Sequence, residues 1–331
     1  MGAFIRKAAP VAGLLVLAPF VGEFLLGNLS VRILPALLFL VPMYGGGALL
    51  IREVVRRTGF GWPAILLLGA AYGVIEAGLA DQSLFNPAFE GHDFQAVTPI
   101  PALGISAENS LSFVAGHAVW SIGVPIALVE HLTPARRTTA WLGPIGLAVT
   151  ALAYTWGLWI VFRELQDSEG FLATPAQLTG AAVVAALLVA AAFLTRRPGA
   201  ARSAAGWVPR PWLVAAGGFV VSSVFVARPG SWAGFWFGVA LLPLAAAAVA
   251  ALARRPQWTQ RQQVALCGGV LMTYAWLGFV LTGLMEPGDP VRWWGNAGFA
   301  AVAVALLVWC RRVGQRPAAA STAAASASAT Q

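Results

Sequence analysis

Long apolar stretches separated by short polar segments run along nearly the whole chain. A helix needs about 20 mostly apolar residues to cross the hydrocarbon core of a bilayer. About ten stretches fit this pattern, and their bounds are 8–27, 32–51, 62–80, 111–131, 140–162, 176–195, 211–227, 232–253, 264–285 and 293–310. The seventh is short, and an "RPGS" turn joins it to the eighth, so this hairpin need not contain two full spans. The pattern predicts an all-α fold, a polytopic transmembrane bundle over residues 1–316.

Three segments need a separate interpretation. The longest polar segment between spans, residues 81–110, is interleaved with phenylalanines, which favours a folded cap over a free linker. Residues 317–331 are nearly all Ala, Ser and Thr without apolar periodicity, which predicts a disordered cytoplasmic tail. The N-terminus has the basic start and apolar run of a signal peptide. No small-x-small cleavage site follows the run, so we expect a retained first helix.

Composition and charge support the membrane assignment. Of the 331 residues, 59% are hydrophobic and 10% are charged, whereas about a quarter are charged in soluble domains. With the N-terminus in the cytoplasm, the outer side holds only Arg32, Arg163, Arg228 and Arg292 of the 21 Lys and Arg residues. This bias predicts a bacterial plasma-membrane protein with both termini cytoplasmic. The net charge of +8 then reflects topology and affinity for the lipid bilayer, and nucleic acid is not an expected partner.

Three ionisable residues lie inside predicted spans near their outer ends. Glu23 is on the first helix, Glu76 on the third and His117 on the fourth. At 1.5 Å per residue, all three lie roughly 6 to 9 Å below the outer boundary. Ionisable side chains cost a few kcal/mol inside a span, so they indicate a functional site by default. We therefore predict that they share one layer of the bundle.

Local sequence patterns favour close contact between the third and fourth helices. Gly69, Gly73 and Ala77 form a small-residue stripe that lets another helix approach, and Glu76 lies beside it. On the fourth helix, His117, Ser121 and Pro125 share one face at four-residue spacing. We take Glu76 and His117 as the candidate catalytic pair, with Glu23 and Ser121 as candidate substrate- or ion-binding residues.

The following loop adds polar side chains above this layer. Asp81, Gln82 and Asn86 are further candidates for binding a substrate or ion. A carboxylate beside an imidazole can relay protons, bind a cation or activate water. The alternative is that Glu76 and His117 only hydrogen-bond across helices. No metal-binding motif occurs, and if a metal is bound, its ligands would be Glu76, His92, Asp93 and His117.

The inner end of the second helix carries the charged sequence "IREVVRR". Glu53 and Arg57 form a pair of opposite sign at four-residue spacing. We interpret this segment as an anchor at the inner membrane surface. Glu130, near the inner end of the fourth helix, is interpreted as a polar helix end at the interface.

The sequence resembles two known groups of membrane proteins. The stretch "GGGALLIREVVRRTGFGWPAILLLGAAYGVIEAGLADQSLFNP", together with "GHAVWSIGVPIALVE", resembles an uncharacterised family of bacterial and archaeal multi-pass proteins over about residues 19–131. Its members often have two adjacent acids where this chain has Glu76 and Ala77. Phe113 and His117 are similar to the FxxxH helix of CPBP (CAAX-protease-like) intramembrane hydrolases, and Glu76 matches one acid of their EExxxR helix.

These features leave several functions open. The CPBP similarity implies hydrolase-like chemistry at an outward-facing Glu/His pocket. The length and about ten spans are also similar to transporters of the EamA type, although no internal repeat is evident and the polar layer is shallower than a midplane site. A non-catalytic scaffold or receptor is the third possibility. The sequence identifies no cofactor and no small-molecule or protein partner.

Overall fold

The computed structural model describes residues 2–195 and 206–314. The tail at 317–331, predicted to be disordered, lies outside the described residues. The fold is all-α, with 78% helix and almost no strand. Within the described ranges, nine helices are long and apolar enough to cross a membrane, and a tenth apolar helix is shorter. The fold class predicted from the sequence is therefore confirmed.

The ten helices are numbered in chain order. Their bounds are α1 Ala8–Leu25, α2 Val31–Thr58, α3 Trp62–Ala80, α4 Ala107–Leu132, α5 Pro144–Glu169, α6 Pro175–Leu194, α7 Pro211–Val226, α8 Trp232–Ala253, α9 Gln260–Met285 and α10 Pro290–Val313. The short helix is α7, as its sequence predicted. We call the end of the bundle that carries residues 81–106 the outer end, following the predicted orientation, which itself stays a prediction.

Helix starts and stops follow local chemistry. Thr174 and Gln177 form a capping box at the start of α6, and the Ser106 hydroxyl caps α4 by accepting from the Asn109 amide. Gly59 and Gly170 end α2 and α5 in the left-handed conformation that glycine adopts without strain.

Helices α3 and α4 form the centre of the bundle. In each, 67% of the most apolar stretch is buried, against 6% in α5 and in α8. One apolar core packs the four helices α1, α2, α3 and α4 together, through side chains such as Leu14, Ile65 and Ile126. A second core packs α1 and α4 against α9 and α10. Polar groups on α3 and α4 are consequently shielded on most sides.

Residues 81–106 fold over the outer end as a compact cap. A two-stranded hairpin pairs β1 (Pro99–Ile100) with β2 (Ile105–Ser106) in antiparallel register. The Gln95 side-chain amide donates to the carbonyls of Phe85 and Gly104 at 2.8 and 2.7 Å, tying the two halves of the segment together. One side chain thus pairs backbone carbonyls from both halves of the cap.

Four of the helices change to π-helix along part of their length. The segments are Phe20–Leu25, Val41–Gly45, Glu76–Ala80 and His117–Gly123. In these segments amides bond to carbonyls five residues back, as Asp81 does to Glu76 at 2.9 Å. A π-helical turn widens the helix and redirects side chains, and such turns are frequent at functional sites.

Candidate functional site

Tyr44 lies between two buried glutamates near the outer end of the bundle. Its hydroxyl is within hydrogen-bond distance of Glu23 Oε1 and lies 2.9 Å from Glu76 Oε1. Tyr44 and Glu76 are buried, and Glu23 is half-buried. Three different helices, α1, α2 and α3, therefore meet through one phenol group.

His117 extends this arrangement onto α4. Its Nε2 lies 2.7 Å from Glu76 Oε2, and its Nδ1 lies 3.2 Å from the Ser121 hydroxyl. The contact with Glu76 is an ion pair when the imidazole is protonated. We call Glu23, Tyr44, Glu76, His117 and Ser121 the outer cluster.

The π-helical segments position this cluster. Each of the four contains one of its members Glu23, Tyr44, Glu76 and His117, and Ser121 lies in the same segment as His117. Pro125, just after that segment, lacks the amide that would complete a regular α-helical bond to the Ser121 carbonyl. On every helix that contributes a residue to the outer cluster, that residue therefore lies in the π-helical turn.

Glycines allow the close helix contacts. A Cβ on Gly73 would lie 3.0 Å from the His117 Cβ and 3.1 Å from the Val114 Cα. A Cβ on Gly22 would lie 2.8 Å from the Ser121 hydroxyl. Larger residues would push α3 and α1 away from α4, so the small-residue stripe predicted on α3 does pack against the His117 face.

The loop residues predicted at the site lie directly beyond the cluster. Gln82 accepts from the Ala173 amide at 2.7 Å, and Asn86 donates to Glu169 at 3.1 Å. Both side chains are buried and join the cap to the segment between α5 and α6. With Asp81, they line a cavity with space for about one water molecule.

Asp81 is close enough to the cluster to interact with it electrostatically. Burial, and then the negative charge of Glu76, raise the pKa of the Asp81 carboxyl well above its usual range. Its Oδ1 accepts from the Ser83 amide at 2.9 Å. Asp81 is therefore an acid that resists ionisation at the outer edge of the site.

His92 and Asp93 do not reach the cluster. Both are exposed on the cap, where the His92 ring contacts Phe94 and Asp93 accepts from the amides of Gln95 and Ala96. The conditional metal site of Glu76, His92, Asp93 and His117 is therefore not assembled. In the part of the chain that the structure describes, no group of three or more His, Cys, Asp or Glu residues could hold a metal ion.

Two tyrosines at the site were missed by the sequence reasoning. Besides Tyr44, the buried Tyr72 ring contacts the rings of Tyr44 and His117, with centroids 5.8 and 5.6 Å apart. Its hydroxyl has no hydrogen-bond partner among the described residues. The sequence held a signal: all 4 tyrosines lie inside apolar spans, whereas most tryptophans lie near span ends.

The charged residues at the inner end form a separate buried network, which corrects two predictions. Arg52 and Glu53 are each 0% exposed, so this segment is not a surface anchor. Glu130 is buried and pairs with Arg52 at 3.1 Å and Arg56 at 2.6 Å, so it is not an interfacial helix end. The predicted Glu53–Arg57 pair is present at 3.4 Å.

The inner network also holds the loop between α4 and α5. Arg52 donates to the carbonyls of Arg136 and Arg137 at 3.0 Å and lies over the Trp141 ring at 3.6 Å. Glu53 accepts from the Trp141 and Leu142 amides at 2.8 and 3.1 Å. We call Arg52, Glu53, Arg56, Glu130 and Trp141 the inner network.

Comparison with known proteins identifies the family. A model described as "Uncharacterized membrane protein family" matches residues 14–327, so the chain belongs to that family. This agrees with the first resemblance and extends it over α5 to α10, whereas the similarity to CPBP hydrolases has no counterpart in the match. Neither the curated proteins nor the solved structures gave a match.

Proposed function

We propose that this member of the uncharacterized membrane protein family carries protons across the membrane, and that the outer cluster binds the transported proton. One observation carries the proposal: a single phenol hydroxyl, that of Tyr44, contacts carboxyl oxygens of both Glu23 and Glu76.

A count of donors supports a bound proton. The Tyr44 hydroxyl has one hydrogen and can donate to only one of the two carboxyl groups. The other contact needs a hydrogen on the carboxyl, because two lone pairs at that distance repel. One of Glu23 and Glu76 is therefore protonated when both contacts exist. No Arg or Lys among the described residues contacts either carboxyl to replace that proton.

The remaining members suit transfer of the proton. Two carboxyls in contact with one hydroxyl repel each other when both are charged, so the pair favours holding a proton between them. His117 beside Glu76 can accept a proton, and Ser121 can donate to the imidazole or accept from it. Membrane-embedded Asp, Glu and His groups commonly serve as proton relays. Under the predicted orientation, the cluster exchanges protons with the outside.

Proton flux into liposomes tests the proposal. The purified protein is reconstituted with an internal pH indicator, and a potassium diffusion potential drives proton entry. We expect entry through the wild type to exceed that through Glu76→Gln at least tenfold. Glu164→Gln, which changes an exposed carboxyl on α5, should match the wild type. Equal rates for wild type, Glu76→Gln and empty liposomes would contradict a proton-carrying function.

A second candidate is hydrolase-like chemistry, favoured by the position of His117. The imidazole lies between a carboxylate and a hydroxyl, Glu76 and Ser121, in the order of a catalytic triad. Ser121 is only 2% exposed, so the bundle would have to open for a substrate to enter. A fluorophosphonate probe should label the wild type but not Ser121→Ala; an unlabelled wild type would contradict this function.

A further inference from the structure

Asp81 occupies the position between the outer cluster and the outer surface. It follows the π-helical segment Glu76–Ala80, and its amide donates to the Glu76 carbonyl at 2.9 Å. The side chain is half-buried and lines the small cavity below the cap. Its Oδ1 accepts a hydrogen bond from the Ser83 amide at 2.9 Å.

The cavity is polar and has room for water. Gln82, Asn86, Gln166 and Glu169 line it together with Asp81. Space for about one water molecule, with several polar partners around it, is what a buried water requires. A water at this place could bring a proton to the Asp81 carboxyl.

From this geometry we infer that Asp81 is the residue through which the outer cluster exchanges protons with the outside, by way of water in this cavity. The inference rests on the proposed function and names its entry step. Protonated Asp81 would pass its proton to the Glu76 carboxylate. Water in the cavity would then deliver a hydrated proton to the Asp81 carboxylate that results, which restores the acid.

The charges around Asp81 suit this role. Glu76 and Glu23 lie below it, and Glu169 on α5 lies across the cavity. Helix α6, which packs against the same segment, has no titratable side chain. Among the described residues that line the cavity or interact with Asp81 by charge, there are acids and no cation, which keeps its proton from being lost too readily.

Infrared hydrogen–deuterium exchange measures the entry step directly. The carbonyl stretch of the protonated carboxyl in the cluster shifts when its hydrogen is replaced by deuterium. We expect the wild-type band to shift at least ten times faster than that of Asp81→Asn after transfer to deuterated buffer. Asp81→Glu should restore fast exchange. Asp167→Asn, which removes an exposed carboxyl on α5 at 70% side-chain exposure, should exchange like the wild type.

The outcomes separate this inference from the proposed function. Exchange in Asp81→Asn at the wild-type rate would overturn the inference and would point to entry beside Glu23, past the exposed Asn28. A wild type without any protonated carboxyl band would instead overturn the proposed function. If Asp81→Asn fails to fold, Gln166→Leu replaces it, since this variant removes a polar group from the cavity wall and should also slow exchange.

Discussion

Tyr44 and Arg52 lie on the same helix, α2, about 12 Å apart along its axis, but their surroundings differ in the supply of hydrogen-bond donors. Around Arg52, three guanidinium groups and two backbone amides meet two carboxylates. No side-chain atom of Arg52, Glu53 or Glu130 is buried without a partner among the described residues. Around Tyr44, two carboxyls share one hydroxyl. Glu23 also accepts from the Asn28 amide, the His117 imidazole lies 2.7 Å from Glu76 Oε2, and the Tyr72 hydroxyl has no partner among the described residues.

This difference separates a structural cluster from a functional one. A buried charge network with all its partners in place stabilises a single arrangement and resists change. A cluster with too few donors can complete its hydrogen bonds only by binding something more, and a proton is the smallest species that does so. The three variants below test this comparison, beginning with the largest expected effect.

Arg52→Ala should destabilise the fold by about 3 to 5 kcal/mol, because it leaves Glu53 and part of Glu130 as buried charges without their partner. Thermal unfolding in detergent measures the change. Arg57→Ala is the matched control, since the Arg57 side chain is 31% exposed and should cost less than about 1 kcal/mol. Equal losses in the two variants would show that the inner network does not hold α2, α4 and the loop together.

Tyr44→Phe should cost about 1 to 3 kcal/mol, because one carboxyl oxygen on Glu23 and one on Glu76 lose their shared partner. It should also shift the pH at which the cluster takes up its proton, which infrared titration records. Tyr154→Phe is the control, because the half-buried Tyr154 hydroxyl makes no hydrogen bond to the described residues. A shift of the same size in both variants would contradict the bridging role of Tyr44.

The stability of the wild type should fall with rising pH through the titration of Asp81. Its pKa is raised in the folded protein above the usual 3.8. At a pH between 3.8 and the raised pKa, the folded chain keeps a proton that the unfolded chain releases. The free energy of unfolding therefore decreases as the pH rises through this range, by at most about 1.4 kcal/mol per pH unit.

Asp81→Asn should remove this contribution, so its stability relative to the wild type increases from acid to neutral pH. Chemical unfolding at a series of pH values measures the difference. An Asp81→Asn variant whose stability parallels that of the wild type at every pH would show that Asp81 ionises normally in the folded state.

The apolar pattern predicts most of the fold because each membrane span must satisfy its own backbone within the hydrocarbon. The depth of Glu23, Glu76 and His117 along their helices was enough to predict that they share a layer. The Gly73 stripe identified the face of α3 that packs against α4. These inferences depend on spacing along single helices, which the sequence gives directly.

What the sequence could not give depends on contacts between helices. Tyr44 fits an apolar span by composition, so the sequence around it does not predict that its hydroxyl contacts two acids. Pro125 lies just after one of the π-helical turns, but apolar periodicity does not reveal where any of these turns occurs. Arg52 was misplaced because a charge near a helix end normally lies at the interface, whereas here Trp141 and the loop after α4 cover it.

The most direct measurement is an infrared spectrum of the reconstituted protein at neutral pH, compared among the wild type, Glu23→Gln and Glu76→Gln. A shared proton predicts a protonated carboxyl band in the wild type, separate from any band that Asp81→Asn removes. This band is lost in both glutamate variants, because the Tyr44 hydroxyl can then donate to the one carboxylate that remains. A wild type without that band at neutral pH would show that both glutamates are ionised, and the outer cluster would not be a proton-binding site.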